Sequence, residues 1–177
     1  MKYLAGLLVC FALVGAGVAP RLTRASLQSF ERQSDSTIEN LLKEDPMSIL
    51  GYTRGVYLDG YGVVFSTEVD LAPRMNPNPF RAQFTKDDFT RIKELKRLRL
   101  VQLREQMRSM LISYASGLDL PLNENVALAV TIPYSRLEDS AGMPRQIVIS
   151  APRRALLDAA AGRTAALPET LKVQEFF

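Results

Sequence analysis

The chain opens on an apolar run, Leu4 to Val18, that no charged or strongly polar side chain interrupts. From Ser26 to about Glu44 it turns polar, with Leu27, Phe30, Ile38, Leu41 and Leu42 at helical intervals, and Pro46 ends any helix there. Arg54 to Leu71 reads as strand. Tyr61, Val63, Phe65, Val69 and Leu71 alternate with Gly62, Ser66, Glu68 and Asp70, a period of two that buries one face and wets the other. Val64 is the one apolar residue on the polar face. Asp59-Gly60 predicts a two-residue type I′ hairpin turn, whose central positions both need positive φ. A single long strand with a glycine bulge from Gly60 to Gly62 is the alternative.

Ala72 to Phe84 holds Pro73, Pro77 and Pro79 with Asn76 and Asn78 between them, so it cannot join a sheet ladder. Thr85 with Asp88 makes a capping-box start, and Asp87 and Asp88 suit the positive end of a helix dipole. Phe89, Ile92, Lys96, Leu103, Met107, Met110 and Tyr114 then share one helical face. The helix is expected from Lys86 to Ser116, with Gly117 as the residue that ends it. Asn125 to Ile132 and Gln146 to Ser150 alternate as strands. Pro152 opens a short helix that Gly162 closes, and Leu171 to Phe177 is a last strand.

With Arg54 to Leu71 counted as one unit, the order is β-α-β-β-α-β. That predicts an α+β domain of ferredoxin-like order: an antiparallel sheet with a long amphipathic helix and one shorter helix. If Asp59-Gly60 is a true hairpin, the order becomes α-β-β-α-β-β-α-β, and a profilin-like α/β/α sandwich is the alternative. Residues 1–25 read as a signal peptide or N-terminal anchor, 26–50 as a helical lead-in, and 51–177 as a single α+β domain.

Composition narrows the chemistry. The sequence has 177 residues, 47% of them hydrophobic, which suits one domain with a real core. It has no His and no Trp, and its one cysteine, Cys10, lies inside the apolar run. No Cys/His metal site, intramolecular disulfide or histidine-based nucleophile pair can be assembled from this set. The net charge is +3, but Lys2, Arg21 and Arg24 belong to the N-terminal segment, and without them the remainder is neutral. A nucleic-acid partner, which needs a surplus of Lys and Arg, is therefore not expected.

The apolar run follows one positive charge and leads into Gly15, Ala16, Gly17 and Ala19, as a signal peptide requires. Its cleavage is expected after Ala19 or after Ala25. Left uncleaved, it would be a membrane contact close to the lower length limit for a span, about 17 residues. Either way the domain is expected to be secreted, or periplasmic in the cell envelope.

No motif specifies a reaction, so no catalytic, cofactor-binding or metal residue is assigned and no cofactor is expected. Three candidate surfaces remain. On the long helix, Leu95, Leu98 and Val101 sit away from the main apolar stripe and suggest a second buried side or a partner. Arg97, Arg104 and Arg108 share a sector that could face an acidic protein or anionic lipid. Glu68 and Asp70, about 7 Å apart on one strand face, are the one candidate acidic pair. The leading expectation is an exported, non-catalytic module that binds a protein partner or self-associates. A carboxylate-dependent hydrolase and a membrane-surface module are the alternatives.

Overall fold

The computed structural model describes residues 22–41, 48–72, 85–136, 138–163 and 167–177. The apolar N-terminal run and the segment with Pro73, Pro77 and Pro79 lie outside these, as does Pro46.

The first helix, α1 (Arg24–Leu41), starts on a reciprocal cap. The Thr23 hydroxyl accepts from the Ser26 N–H at 3.1 Å, and the Ser26 hydroxyl accepts from the Thr23 N–H at 3.2 Å. Its apolar stripe, Leu27, Phe30 and Ile38, enters the same core as the sheet. The Phe30 ring stacks on Phe65 with centroids 3.7 Å apart and meets Tyr114 edge-on at 5.8 Å. The Thr37 and Tyr114 hydroxyls bond at 2.6 Å. Residues 24–41 are thus built into the domain core.

Five strands follow: β1 (Ser48–Leu58), β2 (Gly62–Asp70), β3 (Asn125–Thr131), β4 (Gln146–Pro152) and β5 (Lys172–Phe176). They lie in sequence order across one mixed sheet, with β2 and β3 parallel and the other neighbours antiparallel. The hairpin expected at Asp59-Gly60 forms, but with a three-residue loop. The Tyr61 N–H donates to the Leu58 carbonyl at 3.0 Å and Gly60 has φ 74°, while no non-glycine residue has positive φ among those described. Positive φ at the third turn position alone is the type II pattern, not type I′. Asp59 therefore escapes the strained conformation that a type I′ turn would impose on it.

The α+β class holds; the ferredoxin-like order does not. A β-α-β-β-α-β fold joins its helix-linked strands in parallel twice. Here the 29-residue α2 (Lys86–Tyr114) is the one crossover that does so, between β2 and β3. α3 (Arg153–Ala160) and the one-turn α4 (Leu167–Thr170) connect β4 to β5, and those strands run antiparallel. That connection starts and finishes at the same end of the sheet. The profilin-like sandwich, with helices on both faces, is not formed by the described residues. α1 and α3 each contact α2, and together the three cover a single face of the sheet.

The α2 cap is the one expected from sequence. The Asp88 N–H donates to the Thr85 hydroxyl; the Asp88 carboxylate accepts from the Thr85 N–H at 2.9 Å and from its hydroxyl at 2.8 Å, and these last two bonds hold that carboxyl below its ordinary range. At the other end the helix tightens into a 3₁₀ turn, Ala115–Gly117, without the left-handed glycine. At about 43 Å, α2 is far longer than the roughly 24 Å of β3, so it overhangs the sheet.

The outer edge of β1 is closed by α1. Glu31 accepts from the Gly55 N–H at 2.9 Å and Asp35 accepts from the Thr53 N–H at 2.8 Å. These carboxylates, one helical turn apart, occupy the donors that a foreign strand would need. Glu31 is held in place by Arg24, whose guanidinium reaches both of its carboxylate oxygens at 2.9 and 3.1 Å.

Candidate functional site

Strand register defines the uncovered face of the sheet. One row across it runs Val56, Val64, Ala127, Ser150 and Lys172; the next runs Arg54, Ser66, Ala129, Val148 and Gln174. Tyr52 is 60% exposed, Val56 57% and Leu58 46%, while Val64 and Val148 are half-buried. Ala127 and Ala129 are buried, although no described helix lies over them. Their neighbours across the two rows are Val64 and Ser66 on β2 and Ser150 and Val148 on β4.

The β1–β2 register slips twice, between Ile49 and Gly51 and between Gly51 and Arg54. The Thr67 hydroxyl donates to the Gly51 carbonyl at 2.9 Å across the irregularity. On the open side this leaves a shallow depression of about 250 Å³ lined by Tyr52, Arg54, Ser66, Glu68 and Thr131. It is open to solvent and carries a mixed set of polar groups with no convergent geometry.

On α2, Leu98 is 59% and Val101 58% exposed, and Leu95 is half-buried. They point away from the buried stripe of Leu100, Leu103, Met107 and Leu111. α1 therefore does not cover this second apolar side. The arginine sector is largely engaged within the molecule. Arg97 pairs with Glu94 at 3.0 Å and Arg104 with Glu175 of β5 at 2.6 Å, whereas Arg108 is exposed.

The two candidate acids sit in different surroundings. Glu68 is exposed at the depression. Asp70, at the end of β2, is buried, with its carboxylate 3.6 Å from the Lys96 ammonium. Lys96 is the centre of a charged cluster at the carboxyl ends of β2 and β3. Its side chain is 3% exposed, its Nζ lies 2.6 Å from Glu138, and it sits 4.7 Å above the Tyr134 ring. Lys93 pairs with Asp139 at 2.6 Å, and that bond, with one from the Ala141 N–H, holds the Asp139 carboxyl below its ordinary range. Arg99, also buried, donates to the Leu71 carbonyl at 2.8 Å. The space among these side chains does not admit a water molecule. The enclosed charges of Lys96, Asp70 and Glu138, with the exposed Lys93–Asp139 pair at their rim, tie the segment after β3 to α2 and leave no room for a substrate.

Burial, and then the nearby Glu138 carboxylate, push Tyr134 up to about 12. Its hydroxyl donates to the Pro144 carbonyl at 3.0 Å. A raised folded-state value means the folded chain holds this proton more tightly than the unfolded chain. The stability it contributes is complete below about pH 10 and is lost as pH rises through about 12. Denaturant titrations at pH 9 and 11 are expected to show a fall in stability that shrinks in Tyr134→Phe. An equal fall in both proteins rejects the assignment.

Sequence reasoning located Leu98 and Val101 but missed the sheet face. Val64, apolar among polar neighbours, was its one signal. Tyr52 was not placed on a strand at all, because the strand was read only from Arg54, and Gly51 interrupts the alternation before it. The Lys96 cluster joins residues from positions 70 to 139, and nothing local connects them. Among the described residues no three Asp, Glu, His or Cys side chains converge on a point, and no helix is long and apolar enough to cross a membrane. No family model matches the chain, and no curated protein or solved structure matches it either.

Proposed function

We propose that this chain is an exported, non-catalytic module of the cell envelope or secreted fraction, and that it acts by binding protein through the open face of its sheet. The observation that carries the reading is Val56, a β-branched residue 57% exposed in a paired strand, with Leu58 two residues on and Val64 across from it on the same face, and exposed Tyr52 beyond Arg54. Monomeric proteins rarely leave a contiguous apolar patch without a use for it. The alternatives draw less support. The hydrolase reading needs Glu68 and Asp70 in one cleft, and Asp70 is turned to Lys96. The membrane-surface reading needs free arginines, and two of its three are paired within the fold.

The test is a photo-cross-linking side chain placed singly at Val56, Leu98 or Gln33 in the full chain, expressed in its own cells. Val56 is expected to give an adduct of discrete mass and the exposed Gln33 on α1 none. A chain that reaches the envelope and gives no adduct at Val56 sinks the binding surface. A chain retained in the cytoplasm with its apolar run intact sinks export.

A further inference from the structure

Residues 22–25 stand between the apolar N-terminal run and the body of α1, yet they belong to the folded domain. Leu22 packs against the hydrophobic core. The Thr23 carbonyl accepts the first helical bond, from the Leu27 N–H at 3.2 Å, and also accepts from the Ser26 hydroxyl at 2.9 Å. Arg24, the first residue of α1, holds both carboxylate oxygens of Glu31. Glu31 is 4% exposed and closes the β1 edge through the Gly55 N–H. We infer that the signal is cut within the small-residue stretch from Gly15 to Ala19 and not after Ala25, so that the exported chain keeps Leu22 to Ala25. This rests on the reading of the chain as exported and names its processing site.

The sequence offers both cuts. The apolar run up to Val14 already has the length of a signal core, roughly 7 to 15 residues, and Gly15, Ala16, Gly17 and Ala19 follow it at once. Thr23 and Ala25 make a second small-residue site, set farther from the run, with Arg24 between them. The peptidase meets the chain before it folds, so the fold shields neither bond. What separates the two sites is the chain that each cut leaves behind.

A chain that starts at Ser26 loses the Thr23 cap, and its new α-ammonium sits at the positive end of the α1 dipole. It also strands Glu31. Arg24 lies two helical turns before Glu31 and so shares its face, whereas Ser26 lies on another, and its ammonium does not replace the guanidinium. A carboxylate this buried is costly without its cation. The loss falls on the contact that guards β1, because Glu31 is what occupies the Gly55 donor against a foreign strand. A cut between Gly15 and Ala19 leaves every one of these interactions in place.

The test is mass spectrometry of the intact chain recovered from the envelope or medium of its own cells. A mature N-terminus between Ala16 and Pro20 is expected. A start at Ser26, or at any other residue past Pro20, overturns the inference and leaves export standing. A full-length chain held outside the cytoplasm by its uncut run does the same. A full-length chain inside the cytoplasm removes both. A second measurement forces the other start: deleting residues 20–25 sets Ala19 directly before Ser26. The exported, cut product of that deletion is expected to be digested several-fold faster by added protease than the parent product. Glu31→Gln in the same deletion removes the stranded charge and is expected to recover part of the resistance. Equal digestion of the deletion and parent products, or a further loss with Glu31→Gln, overturns the inference as well.

Discussion

Gly62→Ala is expected to destabilise the domain by more than about 4 kcal/mol, the range reserved for substitutions that break a specific structural demand. Gly62 opens β2 with φ 124°, where L side chains are strained. A Cβ there would stand 2.1 Å from the Asn125 carbonyl oxygen and 2.7 Å from its nitrogen. Both are backbone atoms, so no rotamer change relieves the clash. Asn125 is also where β3 begins. Its N–H donates to the Tyr61 carbonyl at 2.8 Å and its side-chain amide to the same oxygen at 3.3 Å. Pushing the two strands apart therefore loosens the parallel pairing at its first residues. Gly60→Ala is the control. Gly60 has φ 74° but nothing within 4 Å of an added Cβ, so it carries only the conformational cost, about 1 to 2 kcal/mol. Urea midpoints with unchanged slopes would read the difference. Equal losses at both glycines would mean that β2 and β3 do not approach as described.

How much of this was legible depends on the range of the interaction. The α2 cap could be read from Thr85 and Asp88 because it closes within one turn. The same holds for Pro152 and the start of α3, and for the period-two strands β3 and β4. Pairing was not legible. Alternation says which side chains share a face, but not whether β5 returns parallel or antiparallel to β4. The ferredoxin-like order failed at that step. It failed also because the strand was read only from Arg54 and counted through Gly60 as one unit, whereas β1 starts at Ser48 and ends at Leu58. Gly55 has a packing reason to be glycine: a Cβ there would stand 2.5 Å from the Phe65 ring. The surfaces divide in the same way. Leu98 and Val101 were visible from helical periodicity alone. The open sheet face needed the register of four strand pairs, and the sequence carried only Val64 as a mark of it.

The other large effect is expected from Lys96→Met, at about 3 to 5 kcal/mol, the usual cost of removing one partner from a buried ion pair. Methionine fills most of the same volume, so the loss is electrostatic. Glu138, 15% exposed, loses the ammonium at 2.6 Å, and the Tyr134 ring loses the cation above it. What then loosens is the segment that Glu138 anchors, where its carboxylate also accepts from the Ser135 N–H at 3.3 Å. Adding Glu138→Gln to Lys96→Met takes away one of the two carboxylates that Lys96 faces, Asp70 being the other, so the double variant should be more stable than the two single losses predict. Amide exchange should quicken at residues 132–136 in Lys96→Met and recover partly in the double variant. Strict additivity would mean that the pair does not interact in the folded chain. The cross-link yield at Val56 should be unchanged in Lys96→Met, because Val56 does not contribute to the cluster. If that yield fell with Lys96 while the domain stayed folded, the cluster would belong to the binding surface, and the division between a charged clamp and an apolar interface would have to be redrawn.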